Sequence, residues 1–267
     1  MTHEADDAHY QCILSVGEAA GGDERAVLSL IDRQVDGVVF LGATMDELSV
    51  EHLSKRVPIV AIGYHAPQAT SFDTVNGDDI EGARLAVRHL LERGFLNIAM
   101  VSLDGGKSNI VAQRELGYRL EMVENGLGEF VHIHRTENRA GTEAFLAELA
   151  ESNSGPAAVF CWCDTSALEI LSIARQRGLS VPGTLGVVGY DNSPPASLAQ
   201  NDLSSVVQSG LEIGRTAARL LVERIQGRKE ASHALVEIGL AARGTSRLPG
   251  PHLDGLDTVV RHAGSPI

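Results

Sequence analysis

Aromatic side chains are scarce in this sequence, 4% of 267 residues, and cysteine stops at three. Three thiols, Cys12, Cys161 and Cys163, are an odd and small number. They exclude a disulfide-stapled secreted scaffold and fit free thiols in a reducing compartment. Positive charge is also short: 22 Lys and Arg stand against 35 Asp and Glu, a formal net charge of −13. A nucleic-acid surface needs clustered Lys and Arg, so this balance argues against one. No apolar run reaches the roughly 18 residues of a membrane span. The start, Met1-Thr-His-Glu-Ala-Asp-Asp7, has neither the basic stretch nor the apolar core of a secretory signal. A cytoplasmic protein with no membrane contact is therefore expected. What the chain does have is a 43% hydrophobic fraction. At this length one core stops growing and a chain splits into two lobes.

Apolar runs alternate with helix-periodic stretches, punctuated by glycine. Tyr10–Val16, Asp36–Leu41, Val57–Ile62 and Leu96–Ser102 read as strands. Helices are expected over 24–34, 46–55 and from Asp78 or Asp79 to Gly94, where Ala83, Ala86, Val87, Leu90 and Leu91 share one face. The pattern then restarts. Val111–Glu124 and Gly141–Glu151 read as helices, Phe130–His134 as a short strand. Ala157–Asp164 is a strand, followed by a helix to Gly178 and a strand over Leu185–Asp191. Gly210–Gly227 is a long amphipathic helix, and Ala234–Leu240 a last strand. This alternation predicts an α/β fold with parallel sheets and helices on both faces. An Asp closes each strand of the 157–191 unit, where open parallel sheets bind ligands. Carboxylates at that place, without a nucleophile or metal set, point to a binding protein rather than an enzyme.

Several segments resemble the Lac-repressor family of transcriptional regulators. They are the run Asp78-Asp-Ile-Glu-Gly-Ala-Arg-Leu-Ala-Val-Arg-His to Met100, Arg114-Glu-Leu-Gly-Tyr118, Ala158-Val-Phe-Cys-Trp-Cys-Asp164, Val181-Pro-Gly-Thr-Leu-Gly-Val-Val-Gly-Tyr-Asp-Asn192, Leu203-Ser-Ser-Val-Val-Gln208 and Ala242-Arg-Gly-Thr245. They occur in family order over roughly Tyr10 to Arg247. The resemblance implies a two-lobed, periplasmic-binding-protein-like fold. It implies an N-terminal lobe of 1–103 plus 209–230, a C-terminal lobe of 104–208 plus 231–247, and a flexible tail of 248–267. It also implies an effector-sensing homodimer that binds a sugar or related metabolite between lobes and needs no cofactor. Neither a DNA-binding headpiece nor a hinge helix is found, so DNA contact is expected only through a headpiece outside this chain. The first strand and helix of the effector domain are expected to be absent as well, with Tyr10 beginning the second strand. A solute-binding protein for a sugar transporter and a small α/β enzyme are the alternative functions.

For the site, the resemblance places Arg114 and Asp191 on the ligand, facing each other across the gap. A guanidinium offers five fixed donors, and a carboxylate accepts from paired hydroxyls or N–H groups. Without the family, Arg114 reads more readily as a solvated helix arginine than as a ligand contact, and Asp191 equally as a ligand carboxylate or as a turn residue before Ser193-Pro194. Ser108, Ile110 and Gln208 fall at pocket and hinge positions. Cys163 stands where relatives often carry Asn, and a thiol is the poorer hydrogen-bond partner. Cys161 and Cys163 read as two small buried thiols rather than metal ligands. Asp78 is a helix cap or a water-mediated ligand contact, and Asp164 the N-cap of the next helix. Gly63 replaces an Asp of some relatives. Gly106-Lys107-Ser108 lacks the earlier glycine of a phosphate loop, since Val101 stands there.

Overall fold

The computed structural model describes residues 10–42, 44–103, 109–136, 138–151 and 156–247. Ser108, the Gly106-Lys107-Ser108 run and the tail from 248 lie outside the described residues. In chain order the elements are α1 (Gly17–Ala20), α2 (Asp23–Asp32), β1 (Val38–Leu41), α3 (Glu47–Ser54), β2 (Ile59–Ile62), β3 (Asp73–Gly77), α4 (Asp79–Glu92), β4 (Asn97–Leu103) and α5 (Asn109–Glu124). Then follow β5 (His132–Thr136), α6 (Arg139–Glu151), β6 (Ala157–Cys161), α7 (Asp164–Arg177), β7 (Leu185–Tyr190), β8 (Ser204–Gln208), α8 (Gly210–Ile225), β9 (His233–Val236) and β10 (Ile238–Ala241). They divide into two compact units. Unit 1 takes Met1–Asp78, Lys107–Ile110 and Ser209–Glu237; unit 2 takes Asp79–Gly106, Val111–Gln208 and Ile238–Ile267.

Unit 1 holds a four-stranded sheet in the order β1-β2-β3-β9, parallel throughout. Successive strand residues point to opposite faces. Ile59 and Ala61 therefore join Val27, Val50 and Leu53 from α2 and α3, while Val60 and Ile62 join Ile213, Ala217 and Leu220 from α8. Unit 2 holds a six-stranded sheet, β10-β8-β7-β6-β4-β5, parallel except for β10 on β8. Ala99, Val159 and Val187 face Phe145, Leu146 and Ile170 of α6 and α7. Met100, Phe160 and Val188 face Val87, Leu90, Tyr118 and Met122 of α4 and α5. A sheet covered on both sides needs near-continuous apolar strands, which is how these runs read. Each large side chain buried this way contributes about 1.5–3 kcal/mol.

Three expectations are corrected. Asp79–Leu103, expected in the first lobe, belongs to unit 2, because β4 lies between β6 and β5 in the six-stranded sheet. Alternation of strand and helix continues unbroken across the boundary and carries no mark of which sheet a strand joins. The run 234–240, expected as one strand of the C-terminal lobe, is two strands. β9 pairs with β3 in unit 1 and β10 pairs with β8 in unit 2, and they part at Glu237. Tyr10–Val16 is not a strand. Tyr10, Gln11, Cys12 and Ile13 line a cavity of about 330 Å³ together with Val35–Val39, Leu221 and Ile225, and make no strand pairing. An apolar run becomes a strand only where an edge accepts its backbone groups, and Ile13, Leu14 and Val16 stay exposed.

Candidate functional site

In unit 2 the strand ends that carry chemistry are those of β6, β7 and β8, together with the start of α4 and the middle of α5. Arg114 on α5 is 3% exposed. Its Nε donates to Asp79 Oδ1 at 2.8 Å, and its Nη1 donates to the Trp162 carbonyl at 2.5 Å. The guanidinium carbon lies 3.5 Å from the centre of the Tyr190 ring, a cation–π geometry. Asp191 Oδ1 is 3.8 Å from Nη1. Two glycines permit this closeness. A Cβ on Gly117 would fall 2.2 Å from the Ile80 carbonyl oxygen, so α5 can lie directly on the start of α4. A Cβ on Gly82 would fall 2.2 Å from Tyr190 Oη, so α4 leaves room for the ring that Arg114 covers.

Asp191 follows β7 with φ 101, and Asn192 has φ 47. Side chains other than glycine seldom adopt such values, and they recur at ligand sites where surrounding bonds hold them. Here Asp191 N–H donates to the Val206 carbonyl and Asn192 N–H to Ser205 Oγ, each at 2.9 Å. The Asp191 side chain remains 42% exposed. Its Oδ1 accepts from Gln208 Nε2 at 2.8 Å. Burial raises its pKa, against the opposing pull of Arg114 and the Gln208 hydrogen bond, and Asp164 and Asp79 add to the rise.

Asp164 supports this turn from beneath and is 1% exposed. Its carboxylate accepts from Ser193 N–H at 2.6 Å, Ser193 Oγ at 2.8 Å and Ser205 Oγ at 2.6 Å. It is therefore not the N-cap expected from sequence. Cys163 holds the N-cap position of α7, and Asp164 is the first helical residue. The two thiols are buried as expected, Cys161 at 0% and Cys163 at 8% exposure. Burial also raises the Cys163 pKa, so the side chain presents a neutral S–H beside Arg114 and Asp191.

The structure thus brings together Arg114, Asp191, Gln208 and Cys163. Arg114 and Asp191, expected to face each other across the gap, lie side by side within unit 2. Their parent segments sit in neighbouring layers of one α/β unit, joined through Trp162 and Tyr190. Asp78 stays in unit 1, whereas Asp79 turns to Arg114. Ile110 groups with unit 1, where its Cδ1 is 2.8 Å from the place a Cβ on Gly63 would take. Sequence reasoning missed Asp79, Asp164 and Tyr190 as parts of the site. The adjacent pair Asp78-Asp79 was the available signal: neighbouring side chains at a helix start point in different directions, and here Asp79 is buried while Asp78 is only partly so. Among the described residues no group of three or more His, Cys, Asp or Glu side chains is placed to hold a metal ion. What the constellation can do is accept hydrogen bonds from a polar ligand at the outward half of Asp191.

The periplasmic binding protein-like domain family matches residues 87–246 of this chain. The chain belongs to that family. Within it, the relatives are Lac-repressor-family regulators, and the resemblance drawn from the motifs stands. Catabolite control protein A of Priestia megaterium is 31% identical over 218 residues, covering 80% of this chain and 65% of that protein. The chain therefore spans just under two thirds of that relative's length. A LacI transcriptional regulator from a Rhodococcus species superposes with a TM-score of 0.81 at 26% identity, covering 91% of this chain and 90% of that one. The transcriptional regulator CelR, in complex with cellobiose, gives 0.76 at 28% identity over 91% of this chain and 76% of that one. Parallel sheets flanked by helices, as found here, are the fold of these periplasmic-binding-protein-like domains. The relatives are regulators rather than enzymes. No helix among the described residues is long and apolar enough to cross a membrane.

Proposed function

We propose that this chain is the effector-sensing part of a Lac-repressor-family transcriptional regulator. A small sugar-like metabolite binds at the strand ends of unit 2, with Asp191 and Gln208 as direct contacts and Arg114 behind them. The observation that carries this reading is the Arg114–Asp79–Tyr190–Asp191 constellation. Arg114, Asp79 and Tyr190 are buried, and they leave one carboxylate, Asp191, 42% exposed on a positive-φ turn. The complex of CelR with cellobiose, on the same fold at 28% identity, supports a carbohydrate ligand. Ligand affinity that differs between two conformations shifts their populations and so controls DNA binding. That DNA contact is made by a headpiece outside these residues. The regulator works as a homodimer in the cytoplasm and turns over no substrate.

Thermal-shift titration with neutral sugars and nucleosides, cellobiose first, tests the reading. A true effector at 100 times its dissociation constant adds about 2.7 kcal/mol of stability. Asp191→Ala removes that gain. Stabilisation that survives Asp191→Ala unchanged would refute the assignment.

A further inference from the structure

Isolated apolar side chains on a protein surface are ordinary; a row of them on one helix is not. On α5, Leu116, Leu120 and Val123 all face solvent, between 36% and 59% exposed. No other α-helix among the described residues exposes more than one large apolar side chain: α3 has Leu48 and α8 has Leu211. Steps of four and three residues put the three on one narrow stripe. The other side of α5 buries Val111, Arg114, Gly117, Tyr118, Glu121 and Met122. Folding of one copy therefore uses that side and leaves the stripe in water. A Cβ on Gly128 would fall 3.2 Å from Val123 Cγ2, so the stripe runs on to the 3-10 turn Gly128–Phe130, where Phe130 is exposed as well.

A four-three apolar stripe is the seam of a two-stranded coiled coil, and the charges beside it select the partner and its direction. With Leu116 and Val123 as d positions and Leu120 as a, Arg119 takes position g and Glu124 the next e. In a parallel pair of identical helices, g of one copy meets the following e of the other, so arginine meets glutamate twice. An antiparallel pair sets g against g, arginine against arginine. Arg119 is exposed, and the carboxylate one turn back on its own helix, Glu115, is held by Ser102 and Arg135. Glu124 binds Arg84 while its side chain stays 52% exposed.

We infer that α5 is a self-association surface. Leu116, Leu120 and Val123 of two copies pack together with the helices parallel, and Arg119 of each copy binds the partner's Glu124. A contact of this length falls short of the roughly 1,200 Å² of total buried surface typical of stable interfaces, so the association is weak and depends on concentration. It does not rest on the effector-sensing reading.

Sedimentation equilibrium of the full chain over roughly 1–500 µM provides the test. The wild type should double its mass within that range. Leu120→Glu should abolish that doubling, and Arg119→Glu should weaken it about tenfold, because symmetry removes two ion pairs and adds like-charge contacts. Direction is read by crosslinking in a Cys12→Ser background, which removes the exposed native thiol. Leu116→Cys and Val123→Cys, each oxidised with glutathione disulfide, should form covalent dimers, since a d position meets itself in a parallel pair; the exposed control Leu48→Cys should not. A wild-type mass that stays constant, or a doubling that survives Leu120→Glu, overturns the inference. A doubling lost in Leu120→Glu without a crosslink at Leu116→Cys or Val123→Cys overturns the parallel pairing.

Discussion

Acidification should weaken this protein through one buried histidine, and the loss can be worked out. His89 on α4 is 8% exposed. Its Nε2 lies 2.7 Å from Ser246 Oγ, which lies 2.7 Å from Ser204 Oγ. Ser204 Oγ in turn accepts from Arg243 N–H at 2.7 Å. The ring therefore ties α4 to β8 and to the closing segment of unit 2. Burial, with a smaller push from Arg93, lowers its pKa from 6.5 to about 4. The folded state keeps His89 neutral while the unfolded chain protonates it below its ordinary value. Between those two values the unfolded state binds more protons, so stability falls as pH falls. At 1.36 kcal/mol per unit the loss is ~2 kcal/mol by pH 5 and ~3 kcal/mol by pH 4, with none above pH 7. Urea melts of the wild type and His89→Gln at pH 7, 5 and 4 provide the check. The glutamine keeps a hydrogen-bonding group and cannot titrate, so the difference between the two proteins isolates His89 from the carboxylates. The wild type should lose about 3 kcal/mol more than the variant on going to pH 4. Parallel losses in both proteins would refute the reasoning.

Asp79→Ala leaves Arg114 buried without its counter-charge and should cost about 3–5 kcal/mol in chemical denaturation; a loss under ~1 kcal/mol would mean the pair is not buried as described. Asp191→Asn should behave in the opposite sense. A raised carboxyl pKa contributes stability that is present below the ordinary carboxylate value and lost as pH rises through the folded value. The variant should therefore melt at or above the wild type at pH 7, with the advantage shrinking in acid; a lower melting point at pH 7 would contradict this. Gly117→Ala drives a methyl group into the Ile80 carbonyl. It should destabilise by roughly 1–3 kcal/mol and weaken effector binding by displacing Arg114, both readable in one thermal-shift titration.

Most of the fold was legible because unit 2 is built from apolar strands bounded by glycine. The β6–α7–β7 unit and the helix ending at Gly94 follow directly from periodicity. β3 was not legible. Asp73-Thr-Val-Asn-Gly77 looks like a loop, yet Asp73, Thr74 and Asn76 are buried. Long-range partners make that possible. Asp73 meets Arg224 and Arg228, Thr74 Oγ1 lies 3.0 Å from His233 Nδ1, and Asn76 bonds Tyr64 through both N–H and carbonyl. The Arg228 and His233 partners lie 155 and 159 positions away and leave no local pattern. The site was half legible for the same reason. Arg114, Asp191 and Gln208 came from motif resemblance, whereas Asp79 and Asp164 are defined by what packs against them from distant segments.

The parting of β9 and β10 at Glu237 bears on how the protein is made. One short stretch near the end of the chain supplies the last strand of both sheets. During synthesis neither half can close its sheet until that stretch has left the ribosome. A stop codon ahead of His233 would uncover β3 and β8 as unpaired edges at once, and nascent chains halted there should be captured by chaperones or degraded rather than released with one finished half.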